Sequence, residues 1–192
     1  MIANIEIQIT ILPVSVSTVL DDPHAASLIH AHTEECLIPN AEPQRAIYDA
    51  MERAEAIKCF AAYAAYEGPE RDVLVPSDAP PLLIGYCSVI MAVMPHDGHK
   101  VATIESVFVD SAYRYTGAGD YLLDAARTAA RNSGCTLIHY NARRGSRLDK
   151  VLSRRAGCDL THNVYTEWLT DQSRNKLAAA VWPVDEAEGS HV

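Results

Sequence analysis

The tract VFVDSAYRYTGAGDYLL, residues 107–123, narrows the possible folds of this chain more than any other. An apolar strand ends at Val109 and a short loop follows. Gly117 and Gly119 then open a stretch in which Leu122, Leu123, Ala126 and Ala130 recur at helical spacing. The first N–H groups of a helix have no internal acceptor. Glycines let a phosphate approach those groups closely, and the helix dipole favours the negative charge. Arg114 adds a fixed positive charge three residues before the first glycine. Two common phosphate loops do not fit. A P-loop needs Lys and Ser or Thr after its last glycine, where this chain has Asp120 and Tyr121. A dinucleotide fingerprint needs a third glycine where this chain has Leu122. What remains is R-x-x-G-x-G between a strand and a helix.

The rest of the chain reads as alternating strands and helices. Residues 3–12 place Ile5, Ile7, Ile9 and Ile11 on one face at period two, a half-buried strand. Asp21, Asp22 and Pro23 announce a helix over 23–37, and a second is expected over 44–58 with Ile47, Met51, Ala54 and Ile57 as its stripe. Residues 59–66 alternate as a strand, and 67–81 read as an exposed loop. Residues 82–94 are an apolar run broken only by Gly85 and Ser88, hence a central strand, bulged or bent at Gly85. A turn at 95–98 makes a hairpin with the next strand, 101–109. A helix over 117–132 ends at Gly134. It is followed by a strand at 136–141, a helix at 147–156 capped by Ser146, and a last strand at 163–169. This order predicts one α/β domain over 1–170, with an antiparallel meander and one crossover. Residues 171–192 are expected to be a tail that is partly ordered at most.

Charge and cysteine content limit the function classes. The 192 residues carry a formal net charge of −9, which disfavours a general nucleic-acid binder. Yet nine Arg and Lys stand against four Asp between 112 and 160, a basic island suited to a local anionic ligand. No apolar run approaches a membrane span, so no membrane partner is expected. The start carries Glu6 and no basic leader, which makes it a poor signal peptide and predicts a cytoplasmic protein. Five scattered cysteines, without C-x-x-C, read as reduced thiols and not as a zinc site. His30 and His32 point apart on a helix, so with His24 they make no metal site. No metal is expected. Tyr63, Tyr66 and Tyr86 read as sheet aromatics.

The hairpin, the strand IESVFV (104–109), the tract Tyr113-Arg114-x-x-Gly117-x-Gly119, and the later Asn141 and Ala156-Gly157 together resemble the GNAT superfamily of N-acetyltransferases. The likeness is clearest over residues 82–169, and its style is similar to members encoded in bacteriophages and prophages. The resemblance implies a mixed, largely antiparallel sheet of six to seven strands flanked by about four helices. Acetyl-CoA would lie in a split between two adjacent parallel strands, 101–109 and 136–141. Val107, Phe108 and Val109 would bind the pantetheine arm through their backbone. Thr116, Gly117, Ala118, Gly119 and Asp120 would cradle the pyrophosphate, aided by Arg114. Asn141 matches a position that contacts pantetheine. Arg144, with Arg143 and Arg147, would reach the nucleotide phosphates.

The implied reaction is direct acetyl transfer to an amine, either a small cationic molecule or a protein amine. An amine that is protonated at neutral pH needs a base. Glu105, a lone carboxylate in an apolar strand, is the candidate. A main-chain N–H near Val107 would stabilise the oxyanion. Many relatives return the proton to sulfur from a tyrosine four residues before the later glycine, and that position here is Ser153. Tyr140 is the candidate substitute, with water or Ser106 as alternatives. The missing tyrosine also leaves open a GNAT-like CoA-binding or regulatory module without turnover. Since relatives are often dimers, the resemblance admits a homodimer.

Overall fold

A computed structural model describes residues 6–36, 42–67, 80–96 and 98–161. These divide into two compact units. One holds the described residues among 6–32 and 43–142, and the other holds 33–36, 42 and 143–161. The chain order is β1 (Glu6–Val14), α1 (Val16–Leu20), α2 (Ala25–Glu35), α3 (Arg45–Arg53), β2 (Ile57–Glu67), β3 (Leu82–Val93), β4 (Lys100–Val109), α4 (Ala118–Asn132), β5 (Leu137–Tyr140) and α5 (Arg147–Leu152).

In the first unit the strands form one sheet in the order β1-β2-β3-β4-β5. The first three pairings are antiparallel, and β4 pairs with β5 in parallel. The described residues therefore make a mixed five-stranded sheet, where six to seven strands were expected. The expected strand at 163–169 lies outside the described residues, as does most of the expected loop at 67–81. The β3 segment 83–89 is buried throughout because helices cover both sheet faces, which is why its sequence is apolar without alternation. Val16, Val19, Ala25 and Leu28 pack from α1 and α2 on one face, against Ile57, Cys59 and Ala61 of β2, Tyr86 of β3 and Phe108 of β4. Tyr48 and Met51 join them from α3. The stripe expected on α4 is found: Leu122, Leu123, Ala126 and Ala130 are buried, Ala118 joins them, and the helix packs against β2, β3 and β4.

Two expectations for the N-terminal half change. The short helix α1 was not foreseen. Ser15 caps it, its Oγ accepting from the Thr18 N–H at 2.9 Å. The second helix was expected to run to 58 but stops at Arg53. Glu55 takes φ 54°, a left-handed conformation that ends the helix without a glycine. Ile57 then pairs with Ile90 as a strand residue and is 2% exposed. Its burial in the sheet outweighs the helical spacing that joined it to Met51.

Two irregularities shape the centre of the sheet. The register between β2 and β3 shifts at Ala62/Tyr63, leaving Ile84 as the extra residue beside Gly85. Between β3 and β4 it shifts at Ser88/Val89. Ser88 faces Ser106 and Val89 faces Ile104, so Glu105 is the residue in excess. β4 stays paired with β5 only from Val101↔Leu137 to Ile104↔Tyr140. It then runs on to Val109, so its residues 105–109 have no partner on the β5 side among the described strands.

The second unit contains α5. Its N-cap Ser146 accepts from the Asp149 N–H at 3.2 Å, as the sequence predicts. The helix ends at Leu152, before the expected 156, with Ser153 as its C-cap.

Candidate active site

Glu105 sits where β4 leaves β5, and the bulge decides what it touches. Successive residues of a regular strand point to opposite faces. A bulge adds a residue and re-aims the side chain. Consecutive residues Glu105 and Ser106 accordingly both meet the layer formed by α1–α3. Glu105 is exposed, and both its oxygens are held. Oε2 accepts from Ser88 Oγ at 2.5 Å and Oε1 from Tyr48 OH at 3.2 Å. Ser88 is 4% exposed, and a buried hydroxyl needs a partner. Its place in an otherwise apolar run was the sequence signal for this contact. Tyr48 carried no signal. Burial, and then the charge of Glu105 beside it, push the Tyr48 hydroxyl up to about 12, so it remains a donor to the carboxylate throughout the neutral range.

Ser106 leads to a second group of residues. His32, at the end of the α2 segment in this unit, places Nδ1 2.8 Å from Tyr86 OH and 3.3 Å from Ser106 Oγ. Its ring stacks on Phe108 at 5.2 Å between centroids with an interplanar angle of 25°. The sequence treats His32 only as a rejected metal ligand and Tyr86 as a packing aromatic. Tyr86 does pack in the core from β3, and its hydroxyl also meets His32, which reaches the strand that carries Glu105 through Ser106; both contacts join residues more than 50 positions apart in the chain.

The residues expected to hold the donor fall into three places. Val107, Phe108 and Val109 finish β4, Val107 half-buried and the other two buried. A 3-10 turn, Ser111–Tyr113, leads to Arg114, whose Nε donates to the Val109 carbonyl at 3.0 Å and whose guanidinium lies 5.4 Å from the Phe108 ring centre. Thr116 Oγ1 donates to the Tyr113 carbonyl at 2.7 Å and accepts from the Ala118 N–H at 3.4 Å. Gly117 is the helix N-cap at φ 85°, a conformation that favours glycine, and Ala118, Gly119 and Asp120 make the first turn of α4. A Cβ at Gly119 would meet only Val109 Cγ2 at 3.8 Å, so packing does not require glycine there.

Tyr140 ends β5 opposite Ile104, the neighbour of Glu105, and exposed Asn141 follows it. Arg144 belongs to the second unit, exposed in the turn before α5. There Ser153 donates its Oγ proton to the Lys150 carbonyl at 3.2 Å. Among the described residues no helix is long and apolar enough to cross a membrane.

The sequence profile of the acetyltransferase (GNAT) family matches residues 27–147. The fold is similar to that of AAC(6')-Iy, solved in complex with the bisubstrate analogue CoA-S-monomethyl-acetylneamine. That likeness has 16% identity, covers 84% of this chain and 97% of that one, and has a TM-score of 0.59. Glucosamine-6-phosphate N-acetyltransferase from Arabidopsis thaliana is similar at 14% identity, over 85% and 99%, with a TM-score of 0.57. Ribosomal-protein-alanine N-acetyltransferase from Brucella melitensis biovar Abortus 2308 follows at 15%, over 85% and 100%, with 0.53. No curated protein matched the sequence.

Proposed function

The chain belongs to the acetyltransferase (GNAT) family, whose donor is acetyl-CoA, and we propose that it transfers the acetyl group directly to an amine with Glu105 as general base. The observation that carries this reading is the bulge. It puts one carboxylate, oriented by Ser88 and Tyr48, where β4 parts from β5. Each Glu105 oxygen keeps a lone pair beyond the bond it accepts, so the group can take a proton while staying fixed.

The residues present fit the donor. The 105–109 edge of β4 offers backbone groups to an extended arm, and the left-handed Gly117 opens a helix whose first-turn amides suit a pyrophosphate. In this reading Val107, Phe108 and Val109 hold the pantetheine. Thr116, Gly117, Ala118, Gly119 and Asp120 hold the pyrophosphate, Arg114 supplies charge at the same turn, and Asn141 completes the contacts. When bound, acetyl-CoA supplies an acetyl thioester. The chain's own work is then to hold it, take a proton from the acceptor nitrogen at Glu105, and return one to sulfur from Tyr140 or Ser106. The acceptor class is a cationic amine, small or on a protein, in keeping with the acidic charge outside the basic island.

Ser153, in place of the usual tyrosine, favours a second reading: a CoA-binding module without turnover. Two measurements separate them. Ligand at about 100 times its dissociation constant should stabilise the fold by about 2.7 kcal/mol in thermal unfolding. Thiol release should then appear with at least one member of a panel of polyamines, aminoglycosides, amino sugars and peptide amines. A thermal shift without release from any amine selects the module. No shift at millimolar acetyl-CoA refutes both.

A further inference from the structure

The group around His32 plays no part in the proposed base mechanism, yet it touches the same strand. Nδ1 has two hydroxyls within reach, Tyr86 OH at 2.8 Å and Ser106 Oγ at 3.3 Å, and a hydroxyl can either give or accept. When His32 is neutral with its proton on Nε2, Nδ1 accepts a hydroxyl proton. When it is protonated, Nδ1–H donates, and a Ser106 oxygen that accepts must turn its own hydrogen elsewhere. Neither state strands a half-buried polar group, so the imidazole can change charge in place. Stacking on Phe108 holds the ring. Facing His32 are Tyr86 from β3 and Ser106 from β4. Arg114, from the turn before α4, lies over the same Phe108.

An ammonium acceptor loses two N–H protons on becoming an amide. One ends on the sulfur of CoA and the other leaves to solvent. Glu105 can take a proton, but a donor to sulfur is still needed. Ser153 is no obvious donor, because its hydroxyl hydrogen is given to the Lys150 carbonyl. We propose that His32 is the positioning residue that supplies Ser106 with a proton, so that Ser106 Oγ acts as the donor to the leaving sulfur. In that step the Ser106 O–H bond breaks as S–H forms, and the His32 Nδ1–H bond breaks as Ser106 O–H is remade. His32 ends neutral and regains its proton from solvent. This inference rests on the acetyltransferase reading above.

The first test needs no turnover. The His32 imidazole is followed by NMR as a function of pH in the full chain, its resonance assigned by its loss in His32→Gln. CoA and desthio-CoA, which lacks the sulfur, are the probes. CoA should move the His32 titration midpoint and desthio-CoA should not. If both bind and move it equally, the relay is refuted while the acetyltransferase reading stands. If neither binds, that reading fails and the relay with it. The second test is kinetic. His32→Gln and Ser106→Ala should each lower kcat about a hundredfold or more, with KM for acetyl-CoA unchanged. Each should also remove the fall of kcat on the alkaline side that comes with loss of the His32 proton. Ser106→Thr keeps the hydroxyl and should restore both. Ser106→Ala leaves the imidazole stacked on Phe108, so it remains informative if His32→Gln does not fold. A lower kcat with the alkaline limb intact, or no rescue by threonine, overturns the proposal.

Discussion

Alanine at position 85 would set a methyl carbon 2.6 Å from the Phe108 carbonyl oxygen and 3.1 Å from the Val109 Cα. Both are backbone atoms of the neighbouring strand, so neither can swing aside. β3 and β4 would have to part by about half an ångström or more to restore an ordinary contact. Overpacking of a filled interior costs about 1–3 kcal/mol, and a clash against backbone belongs at the upper end. Removing a glycine from the unfolded chain offsets about 0.4–1 kcal/mol of that. The expected net loss is therefore about 2 kcal/mol, which lowers Tm by about 4–8 °C in a chain of this size. The displaced atoms belong to the proposed pantetheine edge, and the Asp110 N–H that donates to the Ile84 carbonyl at 2.8 Å lies beside them. Affinity for acetyl-CoA should fall along with stability. Differential scanning calorimetry and a thermal-shift titration with acetyl-CoA read the two effects. A Gly85→Ala protein with Tm within about 1 °C of the parent and unchanged affinity would refute the reasoning.

Gly119→Ala should do the opposite for the fold, adding about 0.5–1 kcal/mol of helix propensity because its methyl finds only ordinary contact, while weakening acetyl-CoA binding. A more stable protein with undiminished affinity would remove the phosphate-turn reading. Glu105→Gln should cut kcat about a hundredfold or more while leaving acetyl-CoA affinity within about twofold of the parent, and an unaltered rate would mean that another group takes the proton. On the alkaline side, burial pushes the Cys59 thiol up to about 12, and burial with the Glu105 charge does the same for Tyr48. The unfolded groups ionise near their ordinary values of 9.0 and 10.0, so the unfolded state sheds protons first. Stability from these groups is whole below pH 9 and is lost as pH rises towards 12. Urea midpoints that stay level from pH 8 to about 11 would contradict the burial of both groups. Thiol reagents should label the buried Cys59 and Cys87 only on unfolding, and fast modification of either in the folded protein would contradict their placement.

Much of this molecule was legible because the deciding forces are local. The alternation of Ile7, Ile9 and Ile11, the left-handed glycine at 117, the stripe of α4 and the Ser146 cap are written within a few residues of where they act. So is the glutamate of β4, a charge in an apolar strand. The Ser15 cap of α1 is equally local. What the chain could not declare alone depends on partners far apart in sequence. Ile57 belongs to a strand because Ile90 pairs with it. Gly85 is needed because the Phe108 carbonyl comes within reach of where a side chain would stand. Glu105 is the residue in excess only because Ser88 opposes Ser106 while Val89 opposes Ile104. From that pairing follow the two adjacent β4 side chains that meet Tyr48 and His32 on one face. Residue type and period announce a strand, a turn and a carboxylate. Register, set by the packing of whole strands, decides where that carboxylate points and which hydroxyls and imidazole surround it.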